Sequence, residues 1–103
     1  MDSTTEVAGE AAWITPHGDI DFSSLPSLRA AAARLPAAVT SLTWDLRDVS
    51  FLDLAGLHLL AEQANCARLA SRALSVIRLQ PQPRRLLKVA TELFPGAAWS
   101  AFA

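Results

Sequence analysis

Cysteine is nearly absent from this chain of 103 residues: Cys66 is the only one. A lone thiol closes no intramolecular disulfide and supports no cysteine-based zinc site. Histidine is almost as scarce, with only His17 and His58, too few for a histidine cluster. An excess of either charge is missing too. Nine basic residues face ten acidic ones, for a formal charge of −1. That balance excludes a strongly basic nucleic-acid face and an acidic disordered tail. No uncharged apolar run reaches about 18 residues, the length a membrane-spanning helix needs. Met1 to Glu10 is polar and acidic, without the basic and apolar blocks of a signal peptide. The expectation is a cytoplasmic protein with no membrane insertion, no nucleic-acid partner, no bound metal and no cofactor.

What is present is an apolar chain, 51% hydrophobic, with 20 alanines and 16 leucines. A chain of this length forms one domain, residues 1–103, and buries roughly two-thirds of its unfolded surface. Residues 3–7 are rich in β-branched side chains and read as an edge strand. Ala8-Gly9-Glu10 supplies a turn, and residues 12–15 read as a second strand. Pro16 favours an edge or a bulge there, because proline donates no ladder hydrogen bond. Ser23 or Ser24 caps a first helix, with Pro26 in its first turn. Leu25, Leu28, Ala32 and Leu35 recur along it at helical spacing, and Pro36 stops it.

Residues 42–46 read as an interior strand, and residues 49–52 add more strand-like sequence. Asp53-Leu54-Ala55-Gly56 breaks that pattern. A second helix follows to about Ser71, with Leu57, Leu60, Ala64 and Ala67 on its inner face. Residues 74–79 make another strand. Pro81 and Pro83 open a third helix to about Phe94, with Leu86, Leu87, Ala90 and Leu93 inward. Residues 97–103, with Trp99 and Phe102, read as a short strand or a packed tail. The order β-β-α-β-α-β-α predicts an α/β layer structure with a mainly parallel inner sheet.

No catalytic set emerges. Asp45, Asp48 and Asp53 cluster around one strand with no histidine, lysine or cysteine nearby in sequence, so turn and cap chemistry is the better reading. His58 reads as a solvated side chain on the second helix, and Cys66 as a small buried or half-buried one. Gly18, Gly56 and Gly96 lack phosphate-loop spacing. Arg84, Arg85 and Lys88 form a small basic patch, read as a solvated helix face, with a phosphate or partner contact as the sharper alternative. Trp13, Trp44 and Trp99 read as packing residues, since stacking on nucleic acid needs a basic field around them.

The stretch Trp44–Leu60, WDLRDVSFLDLAGLHLL, is more specific. It resembles the STAS family, the anti-sigma factor antagonists of bacterial sporulation and stress signalling. Members show D-x-S-x-[VL]-x-[FY]-[ML]-D-S-[ST]-G-[LV]. Asp45, Leu46, Val49, Phe51, Leu52, Asp53, Gly56 and Leu57 stand at matching places. Gly18-Asp19-Ile20-Asp21 resembles the family's G-E-[LI]-D, and PQPRRLL at residues 81–87 resembles its P-x-[VL]-R-R-x-[LF]. The likeness spans about residues 5–95.

The resemblance implies a single domain with a mixed four- or five-stranded sheet and helices mainly on one side. It implies a non-enzymatic interaction module. The implied partner is an anti-sigma factor that is also a serine kinase of the histidine-kinase-like ATPase class. That kinase ends the contact by phosphorylating a hydroxyl just after the loop aspartate. The implied contact edge is Asp21, Asp53, Leu54, Ala55, Gly56, Leu57 and His58, with Gly56 letting backbone approach a partner or turn tightly. Glu62 and Asn65 continue the Leu54–His58 stripe. Here the sequence departs from the family: Leu54 stands at the acceptor position, Ala55 follows, and neither carries a hydroxyl. Ser50, the nearest hydroxyl upstream, is expected to turn into the fold. Two other readings remain open: a STAS subunit of a lipid-transporting ABC system, and a small-ligand or nucleotide sensor using the loop after Asp53 and the Arg84-Arg85 pair.

Overall fold

The computed structural model describes residues 1–93. Four strands form one sheet in the order β1-β2-β3-β4: Asp2–Ala8, Ala11–His17, Ser41–Asp45 and Ala73–Ile77. β1 and β2 are an antiparallel hairpin, while β2–β3 and β3–β4 are parallel. Gly9, with φ +60, supplies the left-handed residue that the hairpin turn needs. Three helices, α1 (Leu25–Ala33), α2 (Leu54–Leu69) and α3 (Pro81–Leu93), complete the element order. The mixed sheet of the expected α/β domain is therefore present with four strands.

Strand alternation explains which sheet face the helices cover. Ala12 and Ile14 of β2, with Leu42 and Trp44 of β3, are buried in one apolar cluster. Leu28 of α1, Leu57 and Leu60 of α2, and Leu87 and Ala90 of α3 meet them there. The register places Trp13 beside Thr43, and Thr43 beside Ser75, on the opposite face. Trp13 is partly exposed on that face, whereas Trp44 is fully buried, its indole N–H without a partner among the described residues.

Several boundaries differ from the sequence expectation, each for a local reason. Residues 49–52 are not a strand: only one bridge forms, Ile20 with Leu52. The Gln82 amide takes the place of a strand neighbour, donating to the Leu52 carbonyl (3.0 Å) and accepting from its N–H (2.8 Å). α1 begins at Leu25 after a 3₁₀ turn at Phe22–Ser24; Ser24 stands at its N-cap position but makes no side-chain cap bond, and Asp21 caps the turn. Leu35 lies just beyond α1 but still packs on the core. Pro16 is within β2, an inner strand, beyond Ile14, the last β2 residue paired with β3, so its missing N–H interrupts no parallel ladder. β4 stops at Ile77, where Arg78 turns to φ +55, and α2 stops at Leu69, short of Ser71, which also has a positive φ. The expected end of α3 at Phe94, and the strand or tail over 97–103 with Trp99, lie outside the described residues.

Leu28 is fully buried where α1 meets the sheet. Leu28→Ala should cost about 2–5 kcal/mol, the usual range when a buried leucine leaves a cavity. Urea denaturation should show a lower midpoint at unchanged slope.

Candidate functional site: the loop end of the sheet

Beyond the ends of β2 and β3, two connections run side by side. Gly18 N–H donates to the Asp48 carbonyl (3.2 Å), Ile20 N–H to that of Phe51 (3.1 Å), and Asp53 N–H to that of Ile20 (3.3 Å). These bonds fasten the β2–α1 segment to the β3–α2 segment. Buried Ile20, Leu46, Val49 and Leu52 anchor both from beneath.

α2 starts at this seam. Asp53 is its N-cap, accepting from Gly56 N–H at 2.9 Å, while its carbonyl takes Leu57 N–H at 2.9 Å. Gly56 is buried, and a Cβ there would collide with the Leu52 and Ile20 side chains and crowd the Ile20 carbonyl. The glycine is thus needed for internal close packing, which corrects the expectation that it serves approach to a partner. Asp21 is exposed. It accepts from the Ser23 hydroxyl (2.6 Å), the Ser24 hydroxyl (3.2 Å) and the backbone N–H groups of Ser23 and Ser24. The Ser23 hydroxyl is the main cause holding its carboxyl below the usual value of 3.8, with desolvation opposing.

Of the seven expected edge residues, Asp21, Leu54 and His58 are exposed, Asp53 and Ala55 are half-buried, and Gly56 and Leu57 are buried. Leu57 belongs to the core cluster, so its side chain offers nothing to a partner. On the stripe beyond His58, Asn65 is exposed, while Glu62 is half-buried and paired with Arg29 at 2.9 Å. Two aromatics at this end were not anticipated: Phe22 is 79% exposed and Phe51 47%, beside Leu54 at 75%. The signal was available in the sequence. Phe22 falls between the turn-forming Asp21 and the serines, outside the α1 periodicity, and Phe51 alternates with inward Leu52.

The three clustered aspartates have separate local tasks. Asp45 is buried, accepts from Arg47 N–H (3.1 Å), and lies 3.8 Å and 3.7 Å from the Arg47 and Arg78 guanidinium nitrogens. Asp53 caps α2. Asp48 takes His17 Nδ1 at 2.9 Å, a partner distant in sequence, and His17 Nε2 lies 2.7 Å from the Thr4 hydroxyl. With Nδ1–H donating to the carboxylate, Nε2 accepts from Thr4. The order hydroxyl–imidazole–carboxylate resembles an activated nucleophile. Its members are solvent-exposed, however, and the chain of bonds ties edge strand β1 to the β3–α2 loop. Ser50 is exposed, donating to Asp19 at 2.9 Å, and not turned inward as expected. Cys66 is likewise exposed, one position from the buried Ala67 on α2. Arg84, Arg85 and Lys88 are exposed on α3, with Arg84 reaching the Leu79 carbonyl. Among the described residues no three His, Cys, Asp or Glu side chains gather as metal ligands, and no helix is long and apolar enough to cross a membrane.

The profile of the STAS domain matches residues 2–94. The chain belongs to the STAS family. No curated protein matches it in sequence. Solved structures do resemble it. An anti-sigma factor antagonist from Mycobacterium paratuberculosis aligns with a TM-score of 0.75 at 25% identity, over 91% of this chain and 82% of that one. The anti-sigma factor antagonist SpoIIAA in its unphosphorylated form gives 0.69 at 22% identity, covering 84% and 82%. The Bacillus cell fate determinant SpoIIAA in its phosphorylated form gives 0.69 at 22% identity, covering 92% and 86%.

Gly56→Ala should destabilise the domain by about 1–3 kcal/mol, as overpacking does. Leu54→Asp, at an exposed position, should change stability by no more than about 0.5 kcal/mol. Paired urea melts check both. The carboxyl of Asp21 should titrate with a midpoint below 3.8 in carbon-13 NMR, and Ser23→Ala should raise that midpoint. Because the folded value is the lower one, the stabilisation it gives is present above about pH 4 and fades as pH falls through the folded midpoint.

Proposed function

We propose that the chain is a non-enzymatic, cytoplasmic interaction module of the anti-sigma factor antagonist type. Its partner is an anti-sigma factor, of the kind that is also a serine kinase of the histidine-kinase-like ATPase class. The observation that carries this reading is the exposure of Phe22, Phe51 and Leu54 at one end of a rigid α/β frame. Large apolar side chains grouped on a surface mark contact sites, and aromatics dominate the energetics of such contacts. Asp21 and His58 border them as polar neighbours. The likeness to the mycobacterial antagonist supports the choice of partner.

Regulation differs from what a phosphorylated relative implies. From Asp53 to His58 no side chain carries a hydroxyl, so this loop offers a kinase no acceptor. A phosphate would add about −1.5 to −2 charges to a close interface. Leu54 instead presents an apolar anchor that the kinase cannot alter. The module therefore binds without being released by phosphorylation at this loop.

Affinity measurements against candidate anti-sigma factors test the reading. Binding should weaken at least about tenfold for Leu54→Asp, which puts an unpaired charge into the contact. Incubation with the bound kinase and ATP should leave the intact mass unchanged. Leu54→Ser or Ala55→Ser should then accept phosphate, since Asp53 and the free N–H groups of the α2 start frame that position. Binding by no anti-sigma factor, or undiminished binding of Leu54→Asp, would reject the assignment. A phosphate mapped to Ser50 or Ser23 in the wild type would move the switch elsewhere.

A further inference from the structure

A concavity lies between α1 and the far half of α2, about 18 Å along α2 from Leu54 at 1.5 Å per residue. It has a volume of about 450 Å³, within the range of about 300–1,000 Å³ typical of small-molecule sites. Ala32, Leu35, Leu42 and Ala67 give it apolar walls, and the small alanine side chains leave the space open between the helices. Gln63 lines it and is only 7% exposed. Its side-chain amide has no hydrogen-bond partner among the described residues. That amide keeps contact with the water of the groove and is open to a ligand there.

The charged groups of the groove are unevenly spent. Arg29 Nε binds Glu62 at 2.9 Å. Arg72 gives its Nε to the Val39 carbonyl (2.8 Å) and one terminal nitrogen to that of Pro36 (3.1 Å). A guanidinium has five N–H donors, so both arginines keep donors in reserve. Two cations against the single carboxylate of Glu62 leave the groove net positive. Apolar walls, an unpartnered amide and surplus guanidinium donors call for a small molecule with an apolar body and one anionic end.

We propose that this groove binds a small apolar carboxylate, with the carboxylate taken by Gln63 and the free N–H groups of Arg29 and Arg72, and the hydrocarbon lying on the alanine and leucine walls. The site is independent of the loop end and of the function proposed there. Cys66, the chain's one cysteine, lies on its lining and is exposed, so it reports occupancy.

Titration of the full chain with sodium octanoate, followed by nitrogen-15 NMR, tests the proposal. Octan-1-ol serves as the uncharged control and acetate as the tail-less one. Octanoate should give saturable shifts at the Gln63 side-chain amide and along α1 and the second half of α2, at least about tenfold tighter than either control. Gln63→Leu, which removes the amide, and Ala33→Leu, which fills the groove from its exposed rim, should each weaken octanoate about tenfold or more. Octanoate should also slow alkylation of wild-type Cys66 by N-ethylmaleimide, a readout that depends on no variant folding. Absence of saturable shifts, shifts centred elsewhere, equal binding of octan-1-ol, unweakened binding by folded Gln63→Leu, or unprotected Cys66 would each overturn the proposal.

Discussion

The start of α2 lies so close to Ile20 and Leu52 that position 56 has no room for a Cβ. That contact sets the rest of the loop end. Gly56 lets the helix descend onto the one bridge between the two connections, Ile20 with Leu52. Asp53 can then cap the helix while its own N–H reaches the Ile20 carbonyl. Gln82 holds Leu52 from the other side, which brings the start of α3 into the same arrangement. Three segments distant in sequence are thereby held to a common seam.

The seam explains the surface. With Ile20, Leu46, Val49 and Leu52 committed to the interior, residues between and beside them are turned outward. Phe22, Phe51 and Leu54 are outward for that reason, on backbone segments that the seam bonds fasten together. A preorganised apolar surface loses less freedom on association than a flexible one. Under the proposed function, the side chains the frame presents govern the interaction, and Leu54 and Ala55 in place of a hydroxyl remove a point of control.

The fold was legible because its signals are periodic. Helical spacing of Leu57, Leu60, Ala64 and Ala67 names the buried face of α2, and the β-branched run at 3–7 marks the edge of the sheet. The family motif was legible for the same reason that Gly56 is structural: it records a packing constraint. What the sequence did not show was set by partners far along the chain. Residues 49–52 have strand composition, but Gln82, thirty residues on, satisfies Leu52 in place of a strand. Asp48 has no histidine near it in sequence, yet the hairpin delivers His17. Leu57 both matches the contact motif and belongs to the inner face of α2, and in the structure it is buried with Leu60, Ala64 and Ala67. The exposure of Cys66 and Ser50 depends on the same three-dimensional placement.

If the Ile20–Leu52–Gly56 seam is the rigid base of the presented surface, its amides should open only with the sheet. Native-state hydrogen exchange of the free protein measures this directly. The account predicts that the N–H groups of Ile20, Leu52, Asp53 and Gly56 exchange as slowly as those of Ile14 and Trp44 in the β2–β3 pair. Exchange as fast as at the exposed hairpin turn of Gly9 would contradict it, and would mean that Phe22, Phe51 and Leu54 are carried on loops that open independently of the core.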